Sequence, residues 1–106
     1  MFKSYSSATP VEPTPGVTRR VLAYDEEIML VEFTFEADLK LPLHTHPHRQ
    51  VSCVKSGKLE FTLGDEVFIL GPGDSITIPP DIPHGALPLE ASVIMDVFTP
   101  ARQDFL

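Results

Sequence analysis

Residues 50–70 read QVSCVKSGKLEFTLGDEVFIL and contain three short runs in which apolar and polar residues alternate. Alternation with a period of two places successive side chains on opposite faces of a β-strand, so each run predicts a strand. The runs are separated by Ser56-Gly57-Lys58 and by Gly64-Asp65-Glu66, which are typical of hairpin turns. This stretch therefore predicts antiparallel strands joined by tight turns.

The same strand pattern extends over most of the chain from Gly16 onward. Side chains segregate by parity in residues 28–35, and no segment shows apolar spacing of 3.6 residues over three helical turns. Proline also disfavours long helices here, because 11 prolines are about twice the average usage. The predicted strands are residues 17–24, 28–35, 39–46, 50–56, 59–63, 67–70, 75–78 and 92–98. We therefore predict an all-β fold, either an antiparallel sandwich or a barrel.

The chain length of 106 residues is that of one domain. Residues 4–16 are rich in Ser, Thr and Pro and carry few side chains that could pack in a core. We therefore predict an extended N-terminal arm at residues 1–15, either loose or laid along a neighbour. The domain itself is predicted to cover residues 16–106.

Charge and composition exclude several classes of partner. Eight basic and 15 acidic residues give a formal net charge of −7, and the basic residues are scattered, which argues against nucleic acid as the principal partner. The apolar runs are far shorter than the roughly 20 residues that cross a bilayer, so no membrane partner is expected. The N terminus lacks the apolar run of a secretory signal, and the single cysteine cannot form an internal disulfide. We therefore expect a cytoplasmic protein.

The histidines are the residues that point to chemistry. His44 and His46 lie two residues apart, which places both imidazoles on one face of a strand. Gln50 follows with the same parity at the start of the next strand, and His84 lies far away in a proline-rich run. Imidazole nitrogens suit Zn, Ni, Fe, Mn or Cu, and Gln supplies a neutral carbonyl oxygen. A lone His-x-His pair is more often a surface feature, so the pair alone does not establish a metal site.

Two blocks around these histidines resemble the paired motifs of the cupin superfamily, over roughly residues 38–88. The matching residues are His44, His46, Gln50 and Gly57 in the first block and Gly73, Pro79 and His84 in the second. The resemblance implies a small single-domain cupin, a jelly-roll β-barrel, that binds one divalent transition metal (Ni, Zn, Mn or Fe). The ligand set that it implies is His44, His46, Gln50 and His84.

The blocks depart from the usual cupin pattern at three positions. Asp81 stands where glycine is usual, Pro88 where asparagine is usual, and Gln50 where most cupins have glutamate. A glutamate ligand would cancel one charge of a divalent ion, whereas three neutral imidazoles and an amide leave the full charge on the site. Such a centre is expected to hold anions more strongly and to be a better Lewis acid.

Three further stretches are similar to the small KdgF-type cupins: RRVLAY at residues 19–24, LHTHPHRQV at 43–51 and DVFTPARQDFL at 96–106. That resemblance implies an isomerase or tautomerase of pectin and alginate breakdown. Such an enzyme opens the ring of 4,5-unsaturated uronates, derived from galacturonate or mannuronate, to give the linear keto form. It also implies a homodimer, and the terminal motif of the family falls on Asp96, Phe98 and Arg102, as catalytic residues.

The residues alone leave the role of this terminal motif open. Asp96 and Phe98 share one face of a strand, and a carboxylate in an apolar strand needs a partner. Asp96 and Arg102 form a structural ion pair in one interpretation. In the other, Asp96 is an acid/base group and Arg102 binds a substrate carboxylate. Phe98 is either a core residue or a wall for a sugar ring, and His48 is expected at the rim of the site rather than as a ligand.

Two other functions remain open from the sequence. Three-histidine centres also activate oxygen, so an iron-dependent cupin dioxygenase is one alternative. A non-catalytic sugar-binding cupin is the other. We also expect the homodimer to form through the N-terminal arm or through a sheet edge, because a small all-β domain has to protect its edges.

Overall fold

The computed structural model describes all 106 residues and confirms the all-β prediction. Two short 3-10 helices cover Tyr5–Ser7 and Gln103–Phe105, and no helix is long and apolar enough to span a membrane. The ten strands are β1 (Pro10–Thr14), β2 (Val17–Tyr24), β3 (Met29–Phe35), β4 (Leu41–His44), β5 (Arg49–Ser56), β6 (Leu59–Leu63), β7 (Glu66–Leu70), β8 (Ser75–Ile78), β9 (His84–Pro88) and β10 (Ser92–Thr99).

The strands form two antiparallel sheets that face each other. The larger sheet has the order β1-β2-β3-β10-β5-β8, and the smaller one has the order β4-β9-β6-β7. Apolar side chains from both sheets meet in the larger of two hydrophobic cores, and their burial stabilises the fold by about 1.5–3 kcal/mol for each large side chain. The buried members of this core are Val17, Phe35, Val54, Leu59, Phe61, Leu70, Ile78 and Ile94.

Strand β10 lies in the middle of the larger sheet, between β3 and β5. Its residues alternate between buried and half-buried, as the strand period requires. The register with β5 places Asp96 opposite Ser52 and Phe98 opposite Gln50. All four side chains are buried, so the antiparallel pairing gathers two of the predicted catalytic residues and one predicted ligand on the interior face.

Only one of the two turns in residues 50–70 is a hairpin. Strands β6 and β7 pair directly, with Leu63 opposite Glu66, which confirms the second turn. The first prediction was wrong, because β5 pairs with β10 and β8 in the larger sheet while β6 belongs to the smaller one. Both sides of β5 are occupied, so the chain crosses between sheets at Gly57. This glycine has a φ of 91° and packs against the backbone of residues 91–92, which leaves no room for a side chain.

Two strands were missed by the sequence patterns. Strand β9 lies between β4 and β6 in the smaller sheet, but prolines on both sides of it hide its alternation. Strand β1 lies in the predicted arm and pairs with β2 of the same chain, with Val11 opposite Arg19.

The N-terminal segment therefore lies along its own sheet rather than loose. The Tyr5 hydroxyl donates a hydrogen bond to Glu32 at 2.6 Å, on the face of β3 turned away from the core. The Arg20 guanidinium donates to the backbone carbonyl of Ala8, also at 2.6 Å. These contacts bury Glu32, although it is charged and lies on the outer face. The boundary between arm and domain at residue 15 stays a prediction.

We predict that Gly85→Ala weakens both the fold and metal binding. A Cβ at Gly85 would lie 2.7 Å from the carbonyl oxygen of Leu41 and 3.2 Å from the amide nitrogen of Leu43. Strand β4 would have to move away from β9, and this would separate His44 from His84, which lies opposite it in the register. We expect a loss of about 1–3 kcal/mol in the free energy of unfolding, measured by denaturant titration, together with weaker metal binding.

Gly71→Ala is the matched control for this substitution. Gly71 has an ordinary φ, and the nearest atom to its added Cβ would be 3.9 Å away, so stability and metal binding should stay close to those of the wild type. Equal stability and equal metal affinity in the Gly85 variant would contradict the prediction.

Candidate metal centre and its cavity

Three histidines converge at one end of the smaller sheet. Their possible ligand atoms all lie within 4.8 Å of one another. The ring centroids of His44 and His46 lie 4.3 and 4.7 Å from that of His84. His44 ends β4 and His84 begins β9, directly opposite it. His46 lies beyond the end of β4, because the predicted strand at residues 39–46 is shorter than expected. The three histidines could hold a metal ion.

A backbone carbonyl fixes the tautomer of each imidazole. In all three rings Nδ1 lies within hydrogen-bond distance of a carbonyl oxygen two residues away along the chain. The contacts are His44 to Pro42 at 3.2 Å, His46 to His48 at 3.0 Å and His84 to Ile82 at 2.8 Å. A carbonyl oxygen only accepts, so each Nδ1 carries the proton and each neutral ring keeps its lone pair on Nε2.

Burial keeps the two inner imidazoles neutral. It lowers the pKa of His84 to about 4, and the positive charges that His44, His46 and Arg102 can carry act in the same direction. Burial also lowers the pKa of His46, although the hydrogen bond that the protonated ring would donate to Gln50 opposes this shift. The Nε2 atom of His84 is buried without a hydrogen-bond partner. A buried lone pair without a donor is the state in which an imidazole binds a metal.

Gln50 points its side-chain oxygen at the same centre. Its Oε1 lies 2.8 Å from Nε2 of His46, and its amide Nε2 donates to the Ser52 hydroxyl at 2.9 Å. In the neutral tautomer of His46, two acceptor atoms therefore face each other across 2.8 Å. A cation removes this repulsion, and neighbouring ligands on one divalent ion lie about 3 Å apart. The donor set therefore fits a divalent transition metal.

The loop before β9 is tied to the loop that carries His46. The backbone N–H of Asp81 donates to the carbonyl of His46 at 2.9 Å. Asp81 has a φ of 64°, in the left-handed region that glycine occupies most readily and aspartate tolerates. This conformation accounts for the glycine that is usual at the position.

His44 and His84 open onto a cavity of about 320 Å³ between the two sheets, lined mainly by apolar side chains. This volume lies in the range of small-molecule sites. Three of its lining residues each have a buried polar atom without a hydrogen-bond partner: Arg19, His84 and Asp96. Burial raises the pKa of Asp96 to about 6, against the opposing influence of Ser52, Gln50 and the Arg102 charge. A carboxyl group with this pKa is able to take up or release a proton near neutral pH.

Arg102 does not pair with Asp96. Its Nε and Nη2 atoms donate to the two carboxylate oxygens of Asp104 at 3.0 and 2.8 Å, and no ion pair joins it to Asp96. The interpretation as a structural Asp96–Arg102 ion pair is therefore wrong. The guanidinium carbon of Arg102 lies 5.1 Å from the ring centre of Phe98 and 4.3 Å from that of Phe105. Phe98 is a core residue that also lines the cavity.

Comparison with known proteins agrees with this geometry. Residues 31–92, more than half of the chain, match the Cupin domain family. The chain belongs to the cupin family. The predicted resemblance to KdgF-type cupins is confirmed by 32% identity to the pectin degradation protein KdgF of Dickeya dadantii, over 86% of this chain and 84% of that protein.

Two solved cupin structures share the whole fold. KdgF from Halomonas sp. superposes with a TM-score of 0.94 at 31% identity, over 100% of this chain and 98% of that one. An RmlC-like cupin from Shewanella frigidimarina also gives 0.94, at 30% identity, over 99% and 95% of the two chains. The likeness therefore covers the site and both sheets of this cupin.

Several residues of the cupin site were missed from the sequence. Ser52 orients Gln50, and its position two residues further along the same strand could have indicated this. Arg19 and Phe105 line the cavity, but their contact joins strand β2 to the C-terminal segment, which no local pattern reveals. His48 lies outside the three-histidine cluster, and its backbone carbonyl accepts the hydrogen bond from Nδ1 of His46.

We predict that His46→Ala lowers metal affinity by more than about 100-fold, because even partners outside the ligand shell typically contribute 10- to 100-fold. The measurement is elemental analysis together with competition against a chelating dye. His48→Ala is the control: it removes a ring that packs edge-on against His46 but lies outside the cluster, and it keeps the backbone carbonyl that accepts from His46. Full metal occupancy in the His46 variant would contradict the assignment.

Proposed function

We propose that this cupin linearises 4,5-unsaturated uronates, the products of pectate and alginate lyases, to their keto form. The observation that carries the proposal is that two histidines of the cluster, His44 and His84, line one cavity of small-molecule size together with a buried carboxyl group and an arginine. Similarity to a protein named for pectin degradation supports the choice of substrate. We also propose that His44, His46, Gln50 and His84 bind the metal.

The reaction is an isomerisation that needs proton transfer but no oxidant. The substrate is a cyclic hemiacetal whose ring oxygen also belongs to an enol ether. A base removes the proton of the anomeric hydroxyl, the bond between the anomeric carbon and the ring oxygen breaks, and the ring oxygen leaves as an enolate. Protonation of the carbon at the other end of the double bond then gives the ketone. Atoms and charge balance when one group both accepts and returns the proton.

Asp96 is the proposed proton-transfer group. Its carboxyl is buried, faces the cavity and has an oxygen without a hydrogen-bond partner, so this oxygen is available to a substrate. A divalent ion on the histidines and Gln50 would supply positive charge that stabilises the negatively charged oxygen of the reacting sugar. Arg102, held in place by Asp104, keeps Nη1 free to bind a carboxylate.

We predict that Asp96→Asn lowers turnover by about 10²–10⁴-fold, the usual contribution of positioned proton transfer. The assay follows the loss of the unsaturated-uronate absorbance in a lyase digest, and NMR identifies the linear product. Metal content and melting temperature should stay at wild-type values, because the amide keeps the shape of the side chain. Normal turnover in this variant would contradict the role of Asp96.

The same lyase digest, with oxygen uptake and sugar binding measured beside the absorbance, separates the proposal from its alternatives. An iron-dependent dioxygenase would consume oxygen when it is loaded with iron and given the digest. A sugar-binding cupin without activity would bind the uronate but leave the absorbance unchanged. Either result in the wild-type protein would replace the proposed function.

We also propose a homodimer formed through a sheet edge. Strand β7 is an edge of the smaller sheet and exposes Val67, Phe68 and Ile69. Exposed apolar edge strands of this kind are normally covered. We predict a dimer at micromolar concentration in sedimentation, converted to monomer by Val67→Lys with Ile69→Lys. A monomeric wild-type protein would contradict the proposal.

A further inference from the structure

We propose that Arg19, together with Arg102, binds the carboxylate of the substrate and thereby selects uronates over neutral sugars. This inference rests on the proposed function for the identity of the substrate. Arg19 is distinct from the metal donors and from the terminal motif at Asp96, Phe98 and Arg102. Its role follows from its position, its charge and the state of its hydrogen-bond donors.

Arg19 lies on the interior face of the larger sheet. It pairs in register with Phe33 of β3, which in turn pairs with the buried Ile94 of β10. Its neighbour Arg20 faces the other way and contacts Tyr5 and Ala8 on the outer face. Strand alternation therefore sends one of two consecutive arginines into the cavity.

The charge of Arg19 is not compensated by any carboxylate. No acidic group lies within ion-pair distance of it, whereas Arg102 in the same cavity forms a two-point pair with Asp104. The Nε atom of Arg19 is buried and has no hydrogen-bond partner. A buried guanidinium N–H without an acceptor is unfavourable, so the donor is expected to meet one when a ligand enters.

Both guanidinium groups lie over the ring of Phe105. The guanidinium carbon of Arg19 lies 4.2 Å from the centre of this ring and that of Arg102 lies 4.3 Å from it. Phe105 itself packs edge-on against Phe33 and Phe98, so the ring is fixed by the core. Stacking of this kind restricts the planar guanidinium in advance, and its fork of donors matches a carboxylate.

These contacts give a cationic part to the same cavity that His44, Gln50 and His84 line. A uronate has its carboxylate on one ring carbon and its reacting hydroxyl on another, so a fixed anion site also orients the sugar. A neutral hexose has a hydroxymethyl group in place of the carboxylate and would offer Arg19 one neutral oxygen instead of a charged, two-oxygen acceptor. The cavity should therefore discriminate between the two sugars at this position.

The test compares D-galacturonate with D-galactose, which differ at this one group, on the metal-loaded protein. Affinities are measured by calorimetry or NMR titration for wild type, Arg19→Gln, Arg19→Lys and Arg20→Gln. We expect a preference of the wild type for galacturonate that falls by about 10- to 100-fold in Arg19→Gln, the usual effect of one charge-assisted contact. Arg19→Lys should restore part of it, and Arg20→Gln should keep it.

A wild type without preference for galacturonate, or an equal preference in Arg19→Gln, overturns the proposal. An equal loss of affinity for both sugars in Arg19→Gln also overturns it, because that result indicates a structural role. The kinetics separate this inference from the proposed function. Turnover of unsaturated uronate with an unchanged KM in Arg19→Gln refutes the inference alone. If the wild type converts no unsaturated uronate, and Arg19→Gln nevertheless loses the galacturonate preference, the function alone is refuted.

Discussion

Each clustered histidine donates its Nδ1–H to a backbone carbonyl two residues away, and the rest of the site depends on these three contacts. They orient the rings and place the lone pair of each neutral ring on Nε2. Because the ring positions are set by backbone atoms, the cluster is built into the ends of β4 and β9 rather than added by flexible side chains. The repulsion between His46 and Gln50 then makes the centre a place for a cation.

The interior of this cupin combines a stable core with polar groups that the core does not satisfy. Apolar residues of both sheets surround a cavity in which Arg19, His84 and Asp96 each have a buried atom without a partner. Each such group costs about 1–3 kcal/mol, so an arrangement of three in one cavity works against stability. The metal and the substrate that we propose for this cavity would provide partners for these atoms. Unfavourable burial of this kind is typical of functional sites.

The three arginines show that the position of a residue in the fold decides which groups its side chain contacts. Asp104 holds Arg102 in place and compensates part of its positive charge. Arg19 has the same side chain in the same cavity, yet no carboxylate partner. Its neighbour Arg20 lies on the opposite face of the strand and serves to attach the N-terminal segment. Three arginines thus have three roles, decided by strand parity and by long-range contacts.

The sequence by itself determined the strands and most of the candidate site. Alternation with a period of two is a local property, so it identified eight of the ten strands and the shared face of Asp96 and Phe98, which the structure shows to be buried. The resemblance of two blocks to the cupin motifs implied the proposed metal donors His44, His46, Gln50 and His84. Only the tertiary structure decided that Gly57 crosses between sheets, that β1 joins β2, and that Arg102 pairs with Asp104 while Arg19 enters the cavity. These features depend on which strands become neighbours, and that choice follows from the packing of the whole core rather than from any local pattern.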